Sequence, residues 1–271
     1  MPPALGKYMK SSPSQLSNEE FERHAETSVH FFSRRVPARL RKMSAGLSRG
    51  ANVVDVGCGD GQLVWSLLEM SIFPRSVSIT GVDLSPTRVR RFTQLTGCPA
   101  ILSNGGDLVG LEDASIDLCI STMVMEHVPD DAAYAAALAR IVKPGGGLYI
   151  TTVLRKPGAW YFRKAPDGRR VLDPTHVREY ASVDYVRNIL EAAGFDTVDV
   201  GLERLVFPIL HPLVRGLNAM RPIRNVQRLF LSQPWSWLER IALPIPRYRE
   251  IQLVLQRRGV PADGGGALGG A

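Results

Sequence analysis

The sequence predicts an α/β protein in which helices cover both faces of a mostly parallel sheet. Short runs of β-branched residues alternate with segments of helical periodicity, which is typical of βαβ units. A glycine-rich turn follows the first of these runs, at the edge where parallel sheets bind ligands. Of the 271 residues, 45% are hydrophobic and 22% are charged, so the chain can bury a large core and is too apolar for intrinsic disorder.

The predicted elements follow one another in a regular order. Residues 17–49 are predicted as helix, because Ser17 can act as the N-cap with Glu20 three residues later, and Pro37 interrupts the pattern. Beyond them, strands are predicted at 53–56, 77–82, 116–121, 147–153, 195–201 and 251–255, with a short strand before Gly106, and helices at 62–70, 86–95, 131–142 and 182–193.

Composition divides the chain into five segments. The predicted segments are an N-terminal helical extension (1–49), the α/β core (50–203), an insertion rich in Pro, Arg and Trp (204–249), a closing strand (250–258) and a disordered tail (259–271).

The charge is unevenly distributed over these segments. Residues 1–50 carry nine basic and four acidic side chains, residues 51–203 carry 14 and 19, and residues 204–258 carry ten and two. Basic flanks attract nucleic acid, phospholipid surfaces or phosphorylated substrates, and they are also typical of ordinary solvated faces. Both interpretations stay open.

Several classes of protein are excluded or disfavoured by the same composition. The longest apolar run, residues 205–214, contains two prolines and a histidine, so no membrane-spanning helix is expected. Residues 1–15 lack the apolar core of a secretory signal. The three cysteines show no CxxC spacing, which argues against a disulfide framework or a thiolate zinc site and favours a reducing cytoplasm.

The glycine-rich turn is the first element that carries chemistry. Residues 53–61 read VVDVGCGDG, and glycines at this point allow a tight strand-to-helix turn and a close approach of ligand to backbone. The dinucleotide fingerprint requires Gly or Ala at position 62, where Gln62 stands, so an NAD site is disfavoured.

Four further elements fall at the ends of predicted strands. Asp83 ends the second strand, 22 residues after Gly61, where a carboxylate can accept both hydroxyls of a ribose. Asp107 and Leu108 follow the third strand, a polar and sulfur-bearing stretch at 121–123 ends the fourth, and the glycine-rich turn 143–147 precedes the fifth.

Together these five elements resemble the class I S-adenosylmethionine-dependent methyltransferase superfamily, in its small-molecule, methyltransferase-11-like form. The resemblance covers roughly residues 45–202 and 250–257. It implies a Rossmann-like, seven-stranded, mostly parallel sheet with an antiparallel last strand, and S-adenosyl-L-methionine as the cofactor. The cofactor-binding residues that it implies are Asp55, Gly57, Cys58, Gly59 and Gly61 for the methionine moiety, Asp83 and Leu84 for the ribose, Asp107 and Leu108 for the adenine, and Ser121, Thr122 and Met123 beside the sulfonium.

His127 is the first candidate catalytic residue. The segment Glu126–Asp130 resembles that of ubiquinone-pathway O-methyltransferases and small-RNA 2′-O-methyltransferases, in which Glu-x-x-Glu-His supplies metal ligands. Met123 occupies the first Glu position, so we predict no metal site. His127 is then either a general base for a hydroxyl acceptor or a residue that packs at the rim of the cofactor site.

His176 is the second candidate catalytic residue. In an extended stretch, His176, Arg178 and Tyr180 would share one side and converge on an acceptor, with Trp160 as a further wall of the substrate pocket. Alternatively, these residues brace the loop against the following helix, and Trp160 belongs to the core.

The 204–249 insertion is the third candidate. Its proline-broken apolar pieces, arginines and tryptophans suit a membrane interface, a lid over a hydrophobic acceptor or a dimer contact. Nucleic acid is disfavoured because the insertion contains no lysine and no ribonucleoprotein motif.

The favoured function is methyl transfer to a small-molecule or lipid- or saccharide-linked acceptor, with oxygen as the acceptor atom. The alternatives are an RNA or protein methyltransferase, which the basic flanks would serve, and a non-catalytic cofactor-binding scaffold. A scaffold would be marked by loss of Gly57, Gly59 or Asp83, and all three are present. The expected location is cytoplasmic, with or without peripheral contact at the inner membrane surface.

Overall fold

Strands and helices alternate along most of the chain that the computed structural model describes, which comprises residues 18–27, 35–74, 76–104, 106–161, 163–164, 168–208, 210–220, 235–238 and 241–259. The helices are α1 (Asn18–Thr27), α2 (Ala38–Ala45), α3 (Gln62–Glu69), α4 (Pro86–Thr96), α5 (Asp131–Ile141), α6 (Val183–Ala192), α7 (Leu210–Met220) and α8 (Trp235–Leu238). The strands are β1 (Asn52–Val56), β2 (Ser78–Asp83), β3 (Ala100–Leu102), β4 (Ile116–Thr122), β5 (Val142–Arg155), β6 (Arg163–Lys164), β7 (Arg170–Val171), β8 (Phe195–Pro208) and β9 (Ala242–Arg257).

Seven of the strands form one sheet in the order β3-β2-β1-β4-β5-β9-β8. Strands β1 to β5 run parallel to their neighbours, whereas β9 is antiparallel to both β5 and β8. This confirms the predicted Rossmann-like sheet with its antiparallel last strand.

The core lies on both faces of this sheet, because successive side chains of a strand point to opposite sides. Val53 packs in a cluster with α2, α3 and α4, whereas Val54 packs in a second cluster with α5 and α6. Both residues are at most 1% exposed, as expected for a strand that is covered on two faces.

Local capping explains where two of the helices begin. The Ser85 side chain accepts a hydrogen bond from the Arg88 N–H at the start of α4. The predicted Ser182 cap is also present, since its side chain accepts from the Tyr185 N–H. Such caps satisfy backbone donors that have no partner within the helix.

The predicted helix at residues 17–49 is wrong in its continuity. α1 and α2 are separate, and residues 35–37 between them are not helical. Pro37 occupies the N-cap of α2, because its ring prevents it from continuing a preceding helix. Ser17, the predicted cap, lies outside the described residues, as do residues 260–271 of the predicted tail.

Strands β8 and β9 are longer than predicted and form a hairpin that reaches into the predicted insertion. Their pairing continues from Glu203–Glu250 to Pro208–Ala242, with a bulge near Leu205. A small core of Val153, Ala159, Ile245 and Tyr248 packs against this extension. The stretch that joins the two strands is therefore 209–241, which is shorter than the predicted 204–249.

None of the helices in the described residues combines the length and the hydrophobicity that a bilayer crossing requires.

Candidate active site at the carboxyl edge of the sheet

A cavity of about 750 Å³ lies where β1, β2 and β4 end. Ligands of α/β proteins bind at this edge, and the volume falls within the range of small-molecule sites, about 300–1,000 Å³. The wall is formed by Val56, Gly57, Val82, Asp83, Leu84, Arg88, Ser103, Asn104, Gly106, Thr122, Met123, Val124, His127, Val128, Pro129, Asp130, Ala133, Asp173, Thr175 and Val177.

Gly57 brings the turn after β1 directly to the cavity wall. It has a φ of +74°, and a Cβ at this position would lie 2.2 Å from Cγ2 of Val124. The Gly57 and Cys58 N–H groups donate to the Val82 carbonyl at 2.8 and 3.0 Å, which ties the turn to β2. The position therefore requires glycine on two counts, the backbone conformation and the space.

Asp83 presents a buried carboxylate to the same wall. Its Oδ1 accepts from the Ser85 N–H and its Oδ2 from the Gly59 N–H, both at 2.9 Å. Burial raises the pKa of Asp83, although Arg88 and the two N–H donors act in the opposite direction. Each carboxylate oxygen has a further lone pair, so Asp83 can accept hydrogen bonds from ligand hydroxyls.

Asp55 is buried behind the wall and is only 2% exposed. Its Oδ1 has no hydrogen-bond partner among the described residues. Burial and the neighbouring Asp83 raise the pKa of Asp55 to about 7. A buried carboxylate of this kind is stabilised by a cationic ligand, because burial without a partner disfavours its charged form.

These residues fit S-adenosylmethionine. The cofactor carries positive sulfonium and ammonium groups, and the charges of the two buried carboxylates, Asp55 and Asp83, complement them. It also carries ribose hydroxyls, from which Asp83 can accept hydrogen bonds. The side-chain-free turn at Gly57 forms part of the same wall.

His127 lies on the cavity wall and packs edge-on against His176, with ring centroids 4.8 Å apart. Its Nδ1 lies 3.2 Å from the Thr175 carbonyl and 3.0 Å from Thr175 Oγ1, which itself donates to Asp173. The proton is therefore on Nδ1, and Nε2 keeps its lone pair. Burial, together with His176, lowers the pKa of His127 to about 4, so the ring is neutral at neutral pH.

Glu126, His127 and His176 come together into one cluster. Each contributes a ligand atom that lies within 4.8 Å of the other two. Glu126 is fully buried, with Oε2 accepting from Thr152 Oγ1 at 2.7 Å and Oε1 without a hydrogen-bond partner among the described residues. Two imidazoles and a carboxylate form a donor set that fits a divalent cation.

Sequence reasoning missed this cluster because His176 stands 49 residues after His127, so only the fold brings them together. The absence of a metal remains a prediction.

Not all predicted cofactor residues reach the wall. Gly57, Asp83, Leu84, Thr122 and Met123 line the cavity. Asp107 is exposed beside the wall residue Gly106, and Leu108 is fully buried in the core. The remaining members of the predicted set lie behind the wall or in the turn: Asp55, Cys58, Gly59, Gly61 and Ser121.

The predicted convergence of His176, Arg178 and Tyr180 on the cavity does not occur. Arg178 pairs with Asp131 at 2.6 Å, and the Tyr180 hydroxyl lies 3.3 Å from the same carboxylate. Both residues therefore brace the loop against the start of α5, whereas the alternative interpretation expected a contact with the following helix.

Trp160 lies neither in the core nor on the cavity wall. It is 54% exposed, and the Arg170 guanidinium lies 5.2 Å from its ring centroid.

Two polar wall residues, Ser103 and Asn104, were not predicted. They directly follow β3, so the rule that ligands bind where parallel strands end could have identified them. No comparable rule predicts Thr175 or Arg88. Thr175 reaches the wall from a loop and Arg88 from helix α4, and neither directly follows the end of a parallel strand.

Comparison with known proteins identifies the family. A family model described as a methyltransferase domain matches residues 28–200. A ubiquinone biosynthesis O-methyltransferase of Xanthomonas oryzae pv. oryzae is 36% identical over 130 residues, which are 46% of this chain and 52% of that protein. Its counterpart in Pseudomonas aeruginosa is 33% identical over 123 residues, 44% and 50% of the two chains. The chain thus spans about half the length of the curated relatives it matches.

Solved structures show the same fold at low sequence identity. A crystal structure described as a putative methyltransferase of Bacillus halodurans is 16% identical, with a TM-score of 0.54 over 82% of this chain and 98% of that one. A Haemonchus contortus phosphoethanolamine N-methyltransferase in complex with S-adenosylhomocysteine is also 16% identical, with a TM-score of 0.53 over 82% and 51%. The chain therefore belongs to the methyltransferase domain family and has the fold of the class I S-adenosylmethionine-dependent methyltransferases.

Proposed function

We propose that the protein transfers the methyl group of S-adenosyl-L-methionine to a hydroxyl oxygen of a small, largely apolar molecule. The observation that carries this proposal is that Asp83 and His127 line one and the same cavity. A carboxylate suited to ribose hydroxyls and an imidazole with a free lone pair thus face a shared space.

The reaction needs little catalytic equipment from the protein. The sulfonium of the cofactor is a strong electrophile that carries its own leaving group. The residues of the cavity then have to hold acceptor, methyl and sulfur in line and to exclude water.

The residues of the cavity wall near His127 indicate what kind of acceptor molecule would fit. Val124, Val128, Pro129, Ala133 and Val177 are apolar and form part of the lining. Among the lining residues in the described part of the chain, Arg88 is the only lysine or arginine, and it lies 4.0 Å from Asp83. The wall therefore favours a neutral, apolar acceptor over a polyphosphate.

His127 is proposed as the group that receives the hydroxyl proton. Its neutral ring and unprotonated Nε2 can accept a hydrogen bond from an acceptor hydroxyl and then its proton as the oxygen is methylated. The curated relatives, which are named O-methyltransferases, support oxygen as the acceptor atom.

A second candidate role for the same cluster is to hold a divalent cation, and Glu126 favours it. A buried carboxylate oxygen without a partner is costly unless a cation or a donor reaches it. A cation held by Glu126, His127 and His176 would act as a Lewis acid on the acceptor oxygen.

Two experiments test the proposal. Isothermal titration should show micromolar-range binding of S-adenosylhomocysteine, and no binding at millimolar ligand would refute the cofactor assignment. Transfer of labelled methyl groups should then be measured for small phenols and catechols, with RNA and protein fractions in parallel. Label in RNA or protein alone would support the rival methyltransferase classes, and binding without transfer to any of them would support the scaffold.

Chelation separates the two roles of the cluster. Activity that survives exhaustive treatment with EDTA, but is lost in His127→Gln, supports proton transfer by His127. Activity that EDTA removes and added Mg²⁺ or Zn²⁺ restores supports the cation.

We also propose that the connection between β8 and β9, together with the adjoining start of β9, contacts an anionic lipid surface, where a lipid-linked acceptor would be available. Exposed apolar side chains recur here: Met220 is 78% exposed, Leu243 63% and Trp237 56%. In the same part of the sequence, residues 204–258 contain ten arginines and two acidic residues. Exposed apolar residues among basic ones are typical of interfacial segments.

Flotation with liposomes tests this contact. The wild type should float with anionic vesicles and not with zwitterionic ones, and the double variant Trp237→Ser/Leu243→Ser should float less. Val109→Ser is the matched control, because Val109 is 66% exposed but lies between β3 and β4. Equal recovery of all variants would refute the contact and leave the lid or the dimer contact as the role of the segment.

A further inference from the structure

Glu179 is a buried carboxylate that does not line the cavity, yet it contacts His176 of the cluster formed by Glu126, His127 and His176. Its side chain is 4% exposed. Oε1 accepts from the Leu172 N–H at 2.6 Å and lies 3.3 Å from Nδ1 of His176. Oε2 accepts from the Tyr248 hydroxyl at 3.0 Å and lies 3.7 Å from the Arg155 guanidinium.

The contact with Glu179 determines which nitrogen of His176 carries the proton. A carboxylate offers only acceptor positions, so the hydrogen bond requires a proton on Nδ1. In the neutral ring the lone pair is then on Nε2. A carboxylate behind a functional histidine commonly sets both the tautomer and the orientation of the ring.

The other contacts hold the Glu179 carboxylate in place. Leu172 and Arg155 come from the two sides of the loop after β5, whereas Tyr248 lies on β9. Tyr248 is fully buried in the small core beneath the hairpin, so its hydroxyl is a fixed donor. None of these three partners belongs to the cavity wall.

His176 in turn packs against His127. The rings meet edge-on, and both histidines share the cluster with Glu126. A ring flip or a change of tautomer at His176 would place an N–H where the cluster now has a lone pair. The histidine that faces the cavity would then meet a donor in place of an acceptor.

We propose that Glu179, held by Tyr248 and the Leu172 N–H, is a positioning residue that fixes the tautomer and the orientation of His176. This inference rests on the proposed function only for its effect on methyl transfer. The tautomer of His176 can be tested without any acceptor.

The test combines nitrogen-15 NMR of labelled histidines with steady-state kinetics on the full chain. His176→Gln identifies the His176 signals among the five histidines. In spectra recorded where the His176 ring is neutral, the wild type should carry the proton of that ring on Nδ1 and the lone pair on Nε2. Glu179→Leu removes the acceptor and should shift the proton toward Nε2, while kcat falls by about 10- to 100-fold and the KM for S-adenosylmethionine stays unchanged.

Two further variants keep the test decisive if Glu179→Leu does not fold. Glu179→Gln keeps a carbonyl oxygen of the same reach and should retain the Nδ1–H tautomer and most of kcat. Glu191→Gln is the matched control, since Glu191 lies on α6, accepts from Thr197 Oγ1 on β8 and should change neither readout.

Wild-type His176 with its proton on Nε2 would overturn the inference. So would a folded Glu179→Leu protein that binds S-adenosylhomocysteine normally with an unchanged tautomer and kcat. If no acceptor is methylated but the tautomer shifts in Glu179→Leu, the proposed function fails and the role of Glu179 in fixing His176 is supported.

Discussion

Replacing Gly57 by alanine tests whether the turn after β1 is shaped for ligand binding or only for chain reversal. The added Cβ would lie 2.2 Å from Cγ2 of Val124, a distance at which one of the two groups must move. Val124 itself lines the cavity, so its displacement changes the site as well as the turn.

The size of the effect follows from two contributions. A left-handed φ of +74° costs an alanine about 1–2 kcal/mol, and overpacking against Val124 adds about 1–3 kcal/mol. The free energy of unfolding should therefore fall by about 2–5 kcal/mol, which lowers Tm by about 4–20 °C in a domain of this size. The affinity for S-adenosylhomocysteine should fall at least about tenfold, equivalent to about 1.4 kcal/mol.

Gly59→Ala is the matched control. Gly59 has a φ of +54°, but a Cβ there would meet nothing within 4 Å. Only the cost of the left-handed backbone, about 1–2 kcal/mol of unfolding free energy, therefore applies to Gly59→Ala. The hydrogen bond from the backbone N–H of residue 59 to Asp83 is retained. Thermal unfolding and isothermal titration of both variants measure the difference. Equal losses of Tm, or an unchanged affinity in Gly57→Ala, would refute the argument.

Three further predictions concern buried acids and thiols. Asp83→Ala should weaken cofactor binding by about 1–3 kcal/mol in isothermal titration, since hydrogen bonds to a charged group are lost, and an effect within error would move the ribose elsewhere. The raised pKa of Asp55, about 7, means that the folded state binds this proton more tightly than the unfolded state does. The unfolding free energy of the ligand-free wild type, measured relative to that of Asp55→Asn by chemical denaturation, should therefore fall by about 1.4 kcal/mol per pH unit from about pH 4 to 7. This comparison cancels the opposite contribution of His127, whose pKa is lowered to about 4 in both proteins. Identical slopes in the two proteins would contradict the assignment. Burial raises the pKa values of Cys58 and Cys119, so iodoacetamide at pH 8 should label only Cys98 in the native protein and all three thiols after unfolding, as mass spectrometry would reveal.

The family of this protein can be deduced from the sequence because its signals are local. Glycine at position 57 was predicted because the strand-turn-helix geometry requires a left-handed backbone angle there, whereas the lack of space for a Cβ comes from Val124, which follows β4. Asp83 was predicted because the end of β2 places it at the edge of the sheet. The alternation of strands and helices likewise depends on periodicity within a few residues.

Side-chain direction at the ends of strands was harder to predict. Leu108 was expected to cover the adenine, but it has a φ of +47° and is fully buried in the core, whereas the neighbouring Gly106 and Asn104 line the cavity. A change in the backbone angles of a single residue decides which side chain faces the ligand, and no pattern in the sequence predicts such a change.

Contacts between distant segments were decided by the tertiary structure alone. His176 meets His127 and Glu126 because the loop after β5 folds back over the end of β4. Arg178, three residues from Thr175 on the cavity wall, instead pairs with Asp131 on α5. Sequence patterns determine which residues form an element, but the meeting of two elements depends on the packing of the whole core, to which every buried side chain contributes.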